Sequence, residues 1–439
     1  MKDSLAIRGG RIIDPAHGID AVGDVLFVDG RIAAVGRDAG REAAQAIDAS
    51  GLMVCPGLVD IHCHLREPGF EHKETIATGS LAAARGGFTT VCAMPNTQPP
   101  VDTAANVEFV LRTAAQGVVR VLPIGCVSAG RQGKELAELA ELAEAGVVGF
   151  SDDGEPVADP RLMRSALEYA SMLGLPVIDH CEDKGLSAGG VMHEGWVAAR
   201  LGLPGIPAAA EEAMVARDIA LAELTGSRLH LAHVSTAGSV ELIRQAKRRG
   251  LPVTAEAAPH HLALMHEAVL MGVGETAGGL AYDTNAKVNP PLRTHQDTEA
   301  LVDGLLDGTI DAIATDHAPH AIEDKLCEFD QAAFGISGLE TALALCLTLV
   351  HEGRISLPLL IEKLTIGPVR ALGLDRRIEG LGTLSTGAPG DVCLFDPEVQ
   401  WIVEPERFAS KGKNTPLAGR RLKGRVVTTV YCGRVVYQV

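Results

Sequence analysis

Two histidines two residues apart, in His62-Cys63-His64-Leu65-Arg66-Glu67-Pro68, close the apolar run Leu58-Val59-Asp60-Ile61. A strand points residues i and i+2 to one face. Both imidazoles, with Arg66 two further on, can therefore project into one cavity, while Cys63 turns away and packs. Imidazole is a ligand for zinc and similar metals, and the planar guanidinium fork suits a carboxylate. Metal binding and anion recognition thus fall within five residues. An isolated His-x-His also arises as two polar residues at a strand end, so the reading depends on what else collects beside it.

From about Pro56 to Leu372, short apolar strands alternate with helical stretches. The strands fall at residues 58–62, 89–94, 119–124, 147–151, 176–179, 228–233, 252–255 and 311–314. Helical spacing marks residues 135–145, 208–225 and 238–249, each ended by a glycine (Gly146, Gly226, Gly250), a common C-terminal stop. The first of these, acidic with a Leu136/Leu139/Leu142 stripe, reads as an outer helix with one solvated face. Eight strands with intervening helices predict an α/β fold, a (β/α)8 TIM-like barrel, with a doubly wound open sheet as the alternative. Both chain ends read as β structure: residues 5–13, 24–28 and 31–35 around Asp29-Gly30, then 391–395, 425–431 and 434–439 around Cys432-Gly433. These predict a small β-sandwich domain built from both termini, residues 1–55 plus 373–439, beside a metal-dependent hydrolase barrel of residues 56–372.

Barrels of this class carry their active sites at the C-terminal ends of the strands, and polar residues collect there. Strand one ends in His62-Cys63-His64 and strand two in Pro95-Asn96. Strand four ends in Ser151-Asp152-Asp153-Gly154, strand five in Asp179-His180-Cys181-Glu182, and strand six in His233-Val234-Ser235. Strand eight ends in Asp316-His317-Ala318-Pro319-His320. The ligand types are His62, His64, His180, His233, an aspartate at 152 or 153, and Asp316, more than one tetrahedral zinc needs. Two divalent ions sharing a carboxylate would use the set, a centre suited to hydrolysis of amide-like bonds. Asp316 could take a proton from the attacking water and hand it to the leaving nitrogen.

Composition narrows the class. The 439 residues include 46% apolar but only 3% aromatic side chains, so the core is aliphatic. A net charge of −17 argues against nucleic acid or an anionic membrane as partner. Nine scattered cysteines without a C-x-x-C pair read as reduced thiols of a cytoplasmic protein. No apolar signal core or membrane-length run is visible.

The His-x-His-x-Arg-x-Pro motif, Met94-Pro95-Asn96-Thr97, Gly149-Phe150-Ser151-Asp152-Asp153-Gly154, Asp179-His180-Cys181-Glu182, Pro259-His260-His261, Asn289-Pro290-Pro291-Leu292-Arg293 and Ala314-Thr315-Asp316-His317-Ala318-Pro319-His320 together resemble the bacterial class I dihydroorotases of the amidohydrolase superfamily, over nearly the whole chain. The resemblance implies a cyclic amidohydrolase that closes N-carbamoyl-L-aspartate reversibly to L-dihydroorotate plus water, in de novo pyrimidine (UMP) synthesis. It implies that His62 and His64 bind one zinc, His180 and His233 the other, that Asp153 bridges them, and that Asp316 is ligand and proton shuttle. It further implies that His64, Arg66, Asn96 and His320 meet the substrate, with Asn289 and the backbone at Phe334-Gly335 against the ring. One or two zinc ions per chain occur in such enzymes, and two are expected here.

Hydantoinases, dihydropyrimidinases and allantoinases, the rival cyclic amidases, usually bridge their metals with a carboxylated lysine at strand four. No lysine lies between Glu135 and Asp183. A homo-oligomer and a complex with aspartate transcarbamoylase are the implied assemblies. A purely scaffolding role is the rival of another class, and the filled ligand positions oppose it. One departure from the family pattern is the long, glycine-rich segment 268–283 before Asn289, read as a surface insertion. His17, His72, His193, His230, His266, His295 and His351 read as surface or packing residues. His260, His261 and His317 read equally as supports of the site or as ordinary loop residues; Glu182 either bonds a ligand or faces solvent, and Glu323 and Asp324 read as a solvated pair.

Overall fold

The computed structural model describes residues 4–270 and 282–439. Residues 271–281, most of the glycine-rich segment 268–283, lie outside the described residues.

The chain opens with β1 (Ser4–Asp14), β2 (Ile19–Val28), β3 (Arg31–Gly36), β4 (Gln45–Asp48) and β5 (Met53–Pro56). The β2–β3 hairpin turns at Asp29 (φ 50°) and Gly30 (φ 77°), both left-handed, as a two-residue turn matched to strand twist requires. Eight parallel-pairing positions follow. They begin with β6 (Leu58–Cys63), β7 (Phe88–Ala93) and β8 (Arg120–Pro123), and continue with β9 (Val177–Asp179). A small parallel pair, β10 (Met192–His193) and β11 (Gly205–Ile206), precedes β12 (Leu229–Leu231), β13 (Val253–Ala257) and β14 (Ala312–Ile313). The chain closes with β15 (Val392–Ile402), β16 (Arg421–Tyr431) and β17 (Arg434–Gln438), the last two joined at Cys432 (φ 48°) and Gly433 (φ 71°).

The two ends share one sheet in the order β17-β16-β15-β5-β1-β2-β3, with β4 on β1. Antiparallel β15–β5 pairing, Cys393 opposite Cys55, is the seam between them. In the middle, β6-β7-β8 and β9-β12-β13-β14 pair in parallel. Phe150 links the two groups by parallel bridges to Gly125 and Val177, and Cys63 pairs with His317, so the pairings return to their first strand. Residues 147–151, expected as a full strand, pair through the two Phe150 bridges and through backbone bonds such as Val148 N to Pro123 O at 3.0 Å and Ser151 N to Gly125 O at 2.8 Å.

Strand alternation sorts apolar side chains into two cores. Val59, Ile61, Cys92, Ile178 and Ala312 pack together with Ile366, Val369 and Leu372. Their neighbours Leu58, Val91, Val177 and Ile313 pack with apolar faces of the helices, such as Met214 and Ile219 of helix Ala209–Thr225. That helix and Ala237–Arg248 match the sequence reading. The acidic helix does not: only Leu139–Ala145 is helical. Residues 135–137 instead turn back on the preceding loop, Glu135 O accepting from Ala129 N and Ala137 N donating to Val127 O. Gly133, at φ 65°, makes that reversal. Among the described residues, no helix is long and apolar enough to cross a membrane.

Candidate metal centre

The ends of the parallel strands bring six ligand-type side chains together. His62 and His64 come from the end of β6, Asp153 follows the Phe150 bridge, His180 follows β9, His233 follows β12, and Asp316 follows β14. Two trios form, His62-His64-Asp153 and Asp153-His180-His233, the donor atoms of each within 4.8 Å of one another. Asp153 belongs to both. Asp316 Oδ1 lies 3.1 Å from His64 Nε2 and 3.6 Å from His62 Nε2. All six are buried.

The outer nitrogens fix which ring atoms face inward. His62 Nδ1 donates to Glu256 Oε1 at 2.6 Å, His64 Nδ1 to Asn96 Oδ1 at 2.8 Å, and His180 Nε2 to Glu182 Oε2 at 3.0 Å. Each imidazole therefore turns a lone pair toward the centre, the arrangement that orients metal-binding histidines. His62 Nε2 is buried with no hydrogen-bond partner. His180 Nδ1 and His233 Nε2 face each other at 2.9 Å, each 3.3–3.6 Å from Asp153 Oδ1. Converging lone pairs and a carboxylate in a buried space fit divalent cations that take nitrogen and oxygen ligands.

The aspartate left open at 152 or 153 is Asp153 by position. The Asp152 carboxylate points elsewhere, accepting from Val127 N at 2.9 Å, Ser128 N at 3.1 Å and the Ser128 hydroxyl. Burial pushes Asp152 up, whereas the burial of Asp153 is outweighed by the three imidazoles around it, His62 foremost, and its carboxyl is held well below the ordinary carboxylate range. Asp316 is lowered in the same way against its burial, chiefly by His64, then His62 and His233, so it is ionised and able to accept a proton. The flanking lysines do not reach the centre: Lys184 bonds Glu182 at 2.9 Å and Glu155 at 3.3 Å, and Lys134 bonds Gln132.

A cavity of about 420 Å³ opens over this cluster, lined among others by Arg66, Asn96, Asn289, His320, Phe334 and Gly335. Arg66 Nη2 lies 3.3 Å from His320 Nε2, which donates to Phe334 O at 2.8 Å. Asn96, whose Oδ1 accepts from His64 Nδ1, also lines the cavity. Asn289 Nδ2 donates to Glu182 Oε2 at 3.0 Å. Both backbone groups of Gly335 are engaged, N donating to Lys287 O at 2.9 Å and O accepting from Asn414 Nδ2 at 3.0 Å. A Cβ on Gly335 (φ 144°) would sit 2.7 Å from Ala318 Cβ and O. Arg66 (φ 62°), His233 (φ 32°) and Asp316 (φ 46°) also hold left-handed backbones. Each costs on the order of 1–3 kcal/mol, strain that collects at functional sites.

Several supporting residues were invisible to the sequence reading. Glu256, one residue beyond the predicted strand seven, accepts from His62 and from His230 Nε2 at 3.1 Å. His230, expected as a packing residue, is thus packed but also part of a buried polar chain. The i, i+2 pair Thr254 and Glu256 was its available signal. Glu182 bonds His180, and Asp324 lies 3.4 Å from His320 Nδ1 rather than in a purely solvated pair. His317 Nδ1 accepts from Gly338 N, and His261 Nε2 donates to Pro290 O. Lys325 donates to Thr284 O, Lys287 O and Ala333 O, tying the Asn289 and Phe334 segments together.

Comparison with known proteins agrees. Residues 51–239 match the family described as dihydro-orotase-like. The chain is 55% identical to a dihydroorotase of Pelotomaculum thermopropionicum, covering 99% of this chain and 98% of that protein. It is also 55% identical to a dihydroorotase of an Anaeromyxobacter species, over 100% and 99%. Among solved structures it resembles an L-hydantoinase (dihydropyrimidinase) from Arthrobacter aurescens, with a TM-score of 0.87 at 28% identity, over 100% of this chain and 96% of that one. A dihydropyrimidinase from Brevibacillus agri shares the fold, with a TM-score of 0.83 at 24% identity, over 99% and 95%. Fold and site together define an enzyme of the cyclic amidohydrolase class, metal-dependent in its ligand set. Within that class, the chain belongs to the dihydroorotase family.

Proposed function

We propose that this chain closes N-carbamoyl-L-aspartate to L-dihydroorotate and reopens it, and that His62, His64, His180, His233 and the shared Asp153 would hold the two zinc ions it uses. The observation that carries this reading is Asp153 standing in both ligand trios, in a stretch of chain that holds no lysine between Glu135 and Asp183. When bound, the metal pair supplies polarisation of the ring carbonyl and activation of water.

The residues of the chain do the rest. In the hydrolytic direction, Asp316 accepts the proton released as water adds to the carbonyl carbon and passes it to the ring nitrogen as the carbon–nitrogen bond breaks. Its Oδ1 lies 3.1 Å from His64 Nε2, at the edge of the ligand cluster where the proton is released. Arg66 and Asn96 receive the substrate carboxylate with His320 packed beside Arg66, and Asn289 with the Phe334–Gly335 backbone meets the ring. His64 lies between the two groups, bonded to Asn96 and beside Asp316. The fold reading behind this is a (β/α)8 barrel of residues 56–372, supported by the parallel pairings that return to β6, beside a small β domain of residues 1–55 and 373–439, supported by the one sheet that both chain ends share. A homo-oligomer and association with aspartate transcarbamoylase remain part of the proposal and are tested by size exclusion with that partner.

The deciding experiment follows ultraviolet loss of dihydroorotate, with hydantoin and allantoin in parallel and zinc quantified in the same sample. Turnover of dihydroorotate alone with two zinc ions per chain supports the reading. Turnover of hydantoin instead overturns the substrate, and no turnover with bound zinc favours a scaffold.

A further inference from the structure

Asn414 sits 94 residues beyond His320, yet it is built into the wall of the site. It is 4% exposed, and its amide uses its full hydrogen-bonding capacity. Oδ1 accepts from His320 N at 2.9 Å and from Ser337 Oγ at 3.0 Å. Nδ2 donates to Ala318 O and to Gly335 O, both at 3.0 Å. Its own carbonyl accepts from Ser337 N at 2.8 Å. Three of the four side-chain partners are backbone groups of the two loops that carry His320 and Gly335.

The segment around Asn414 is anchored at its other end. Ala409 N and Ser410 N donate to Glu340 Oε1, and Ser410 Oγ and Lys411 N donate to Glu74. Gly412 passes so close to the His320 loop that a Cβ there would meet Pro319 Cβ at 2.5 Å and His320 N at 2.7 Å. The strap is therefore seated against the loop rather than lying loosely over it.

We propose that Asn414 is a positioning residue. It fixes the spacing between the His320 loop and the Gly335 loop, and so the width of the pocket end that receives the substrate carboxylate. Asn414 does not line the cavity. It acts through His320, Gly335 and Ser337. Removing the amide leaves three buried backbone groups unpaired, which the loops relieve by moving apart. Small displacements of groups that orient substrate carry large kinetic effects. The substrate in this inference rests on the dihydroorotase reading; the geometry does not.

The test compares the full-length parent with Asn414→Ala and Asn414→Asp. It measures KM and kcat for dihydroorotate, metal content, and backbone amide exchange over residues 317–338 without substrate. In Asn414→Ala we expect KM to rise about tenfold or more, kcat to stay within about threefold, metal content to hold, and the His320 and Ser337 amides to exchange faster. Asn414→Asp keeps the acceptor for His320 N and Ser337 but turns a carboxylate oxygen against the Ala318 and Gly335 carbonyls, so its KM rises at least as far and the loops again exchange faster. It also serves if the alanine variant does not fold. A parental KM with parental exchange in either folded variant overturns the proposal, as does a fall in kcat and metal content together with KM unchanged. A parent that turns over no dihydroorotate defeats the substrate reading instead, and the exchange comparison still decides the role of Asn414.

Discussion

Glu256 accepts a 2.6 Å hydrogen bond from His62, although 194 residues separate them in sequence. The same carboxylate accepts from His230 and from the His233 backbone N at 3.3 Å. One buried anion therefore orients one ligand of each trio. Substituting Glu256→Gln replaces it with a group that offers a weaker acceptor and a misplaced donor. Partners of this kind typically set metal affinity within a factor of 10–100. Metal titration of the variant should show weaker binding by about that factor, at the His62 site first; unchanged affinity would mean the pair is only packing.

Among the described residues, Arg66 brings a guanidinium beside both His320 and the ligand cluster. Arg66→Ala should raise KM for dihydroorotate by about 30-fold, on the order of 2 kcal/mol, the lower end for a charged group removed from a bound anion. Zinc content should not change. Steady-state kinetics with parallel metal analysis checks it, and unchanged constants would remove Arg66 from substrate binding.

An aspartate at position 153 needs no carbon dioxide to become a bridge. Metal reconstitution of the stripped protein should regain full activity equally with and without added bicarbonate. Asp153→Asn should lose metal at both sites, since its oxygens serve both trios. A bicarbonate requirement would contradict the aspartate bridge.

Glu340 gives a stability signature. Burial holds its carboxyl up at about 7, against Arg85 at 3.6 Å and the donors Ala409 N and Ser410 N. Between about 4.5 and 7 the folded state keeps a proton that the unfolded state has released. Stability is therefore greater below this window and is lost as pH rises through it, by on the order of 2–3 kcal/mol. Urea denaturation at pH 5 and pH 7.5 should show that loss in the parent and a much smaller one in Glu340→Gln. Parallel losses in both proteins would assign the slope elsewhere.

The sequence by itself marked the residues that gather at the candidate site and most of the element plan. Polar residues at strand ends were legible because apolar runs stop abruptly at His62, Asp152, His180, His233 and Asp316, and glycine stops and Asp-Gly turns are local signals. Tertiary structure decided what local pattern cannot encode. Ile61 faces the same core as Val59, so plain alternation would turn His62 the other way. A register shift between Asp60 and Cys63 re-aims the strand end, and that shift exists only through pairing with β7. Asp153 rather than Asp152 enters the centre because Ser128 and Val127 claim the other carboxylate. The helical spacing of residues 135–138 lost to hydrogen bonds with residues 127–129. Glu256, Lys325 and Asn414 were silent because a buried polar side chain has no sequence period. Its partners are set by which distant backbone groups the packed loops leave unpaired.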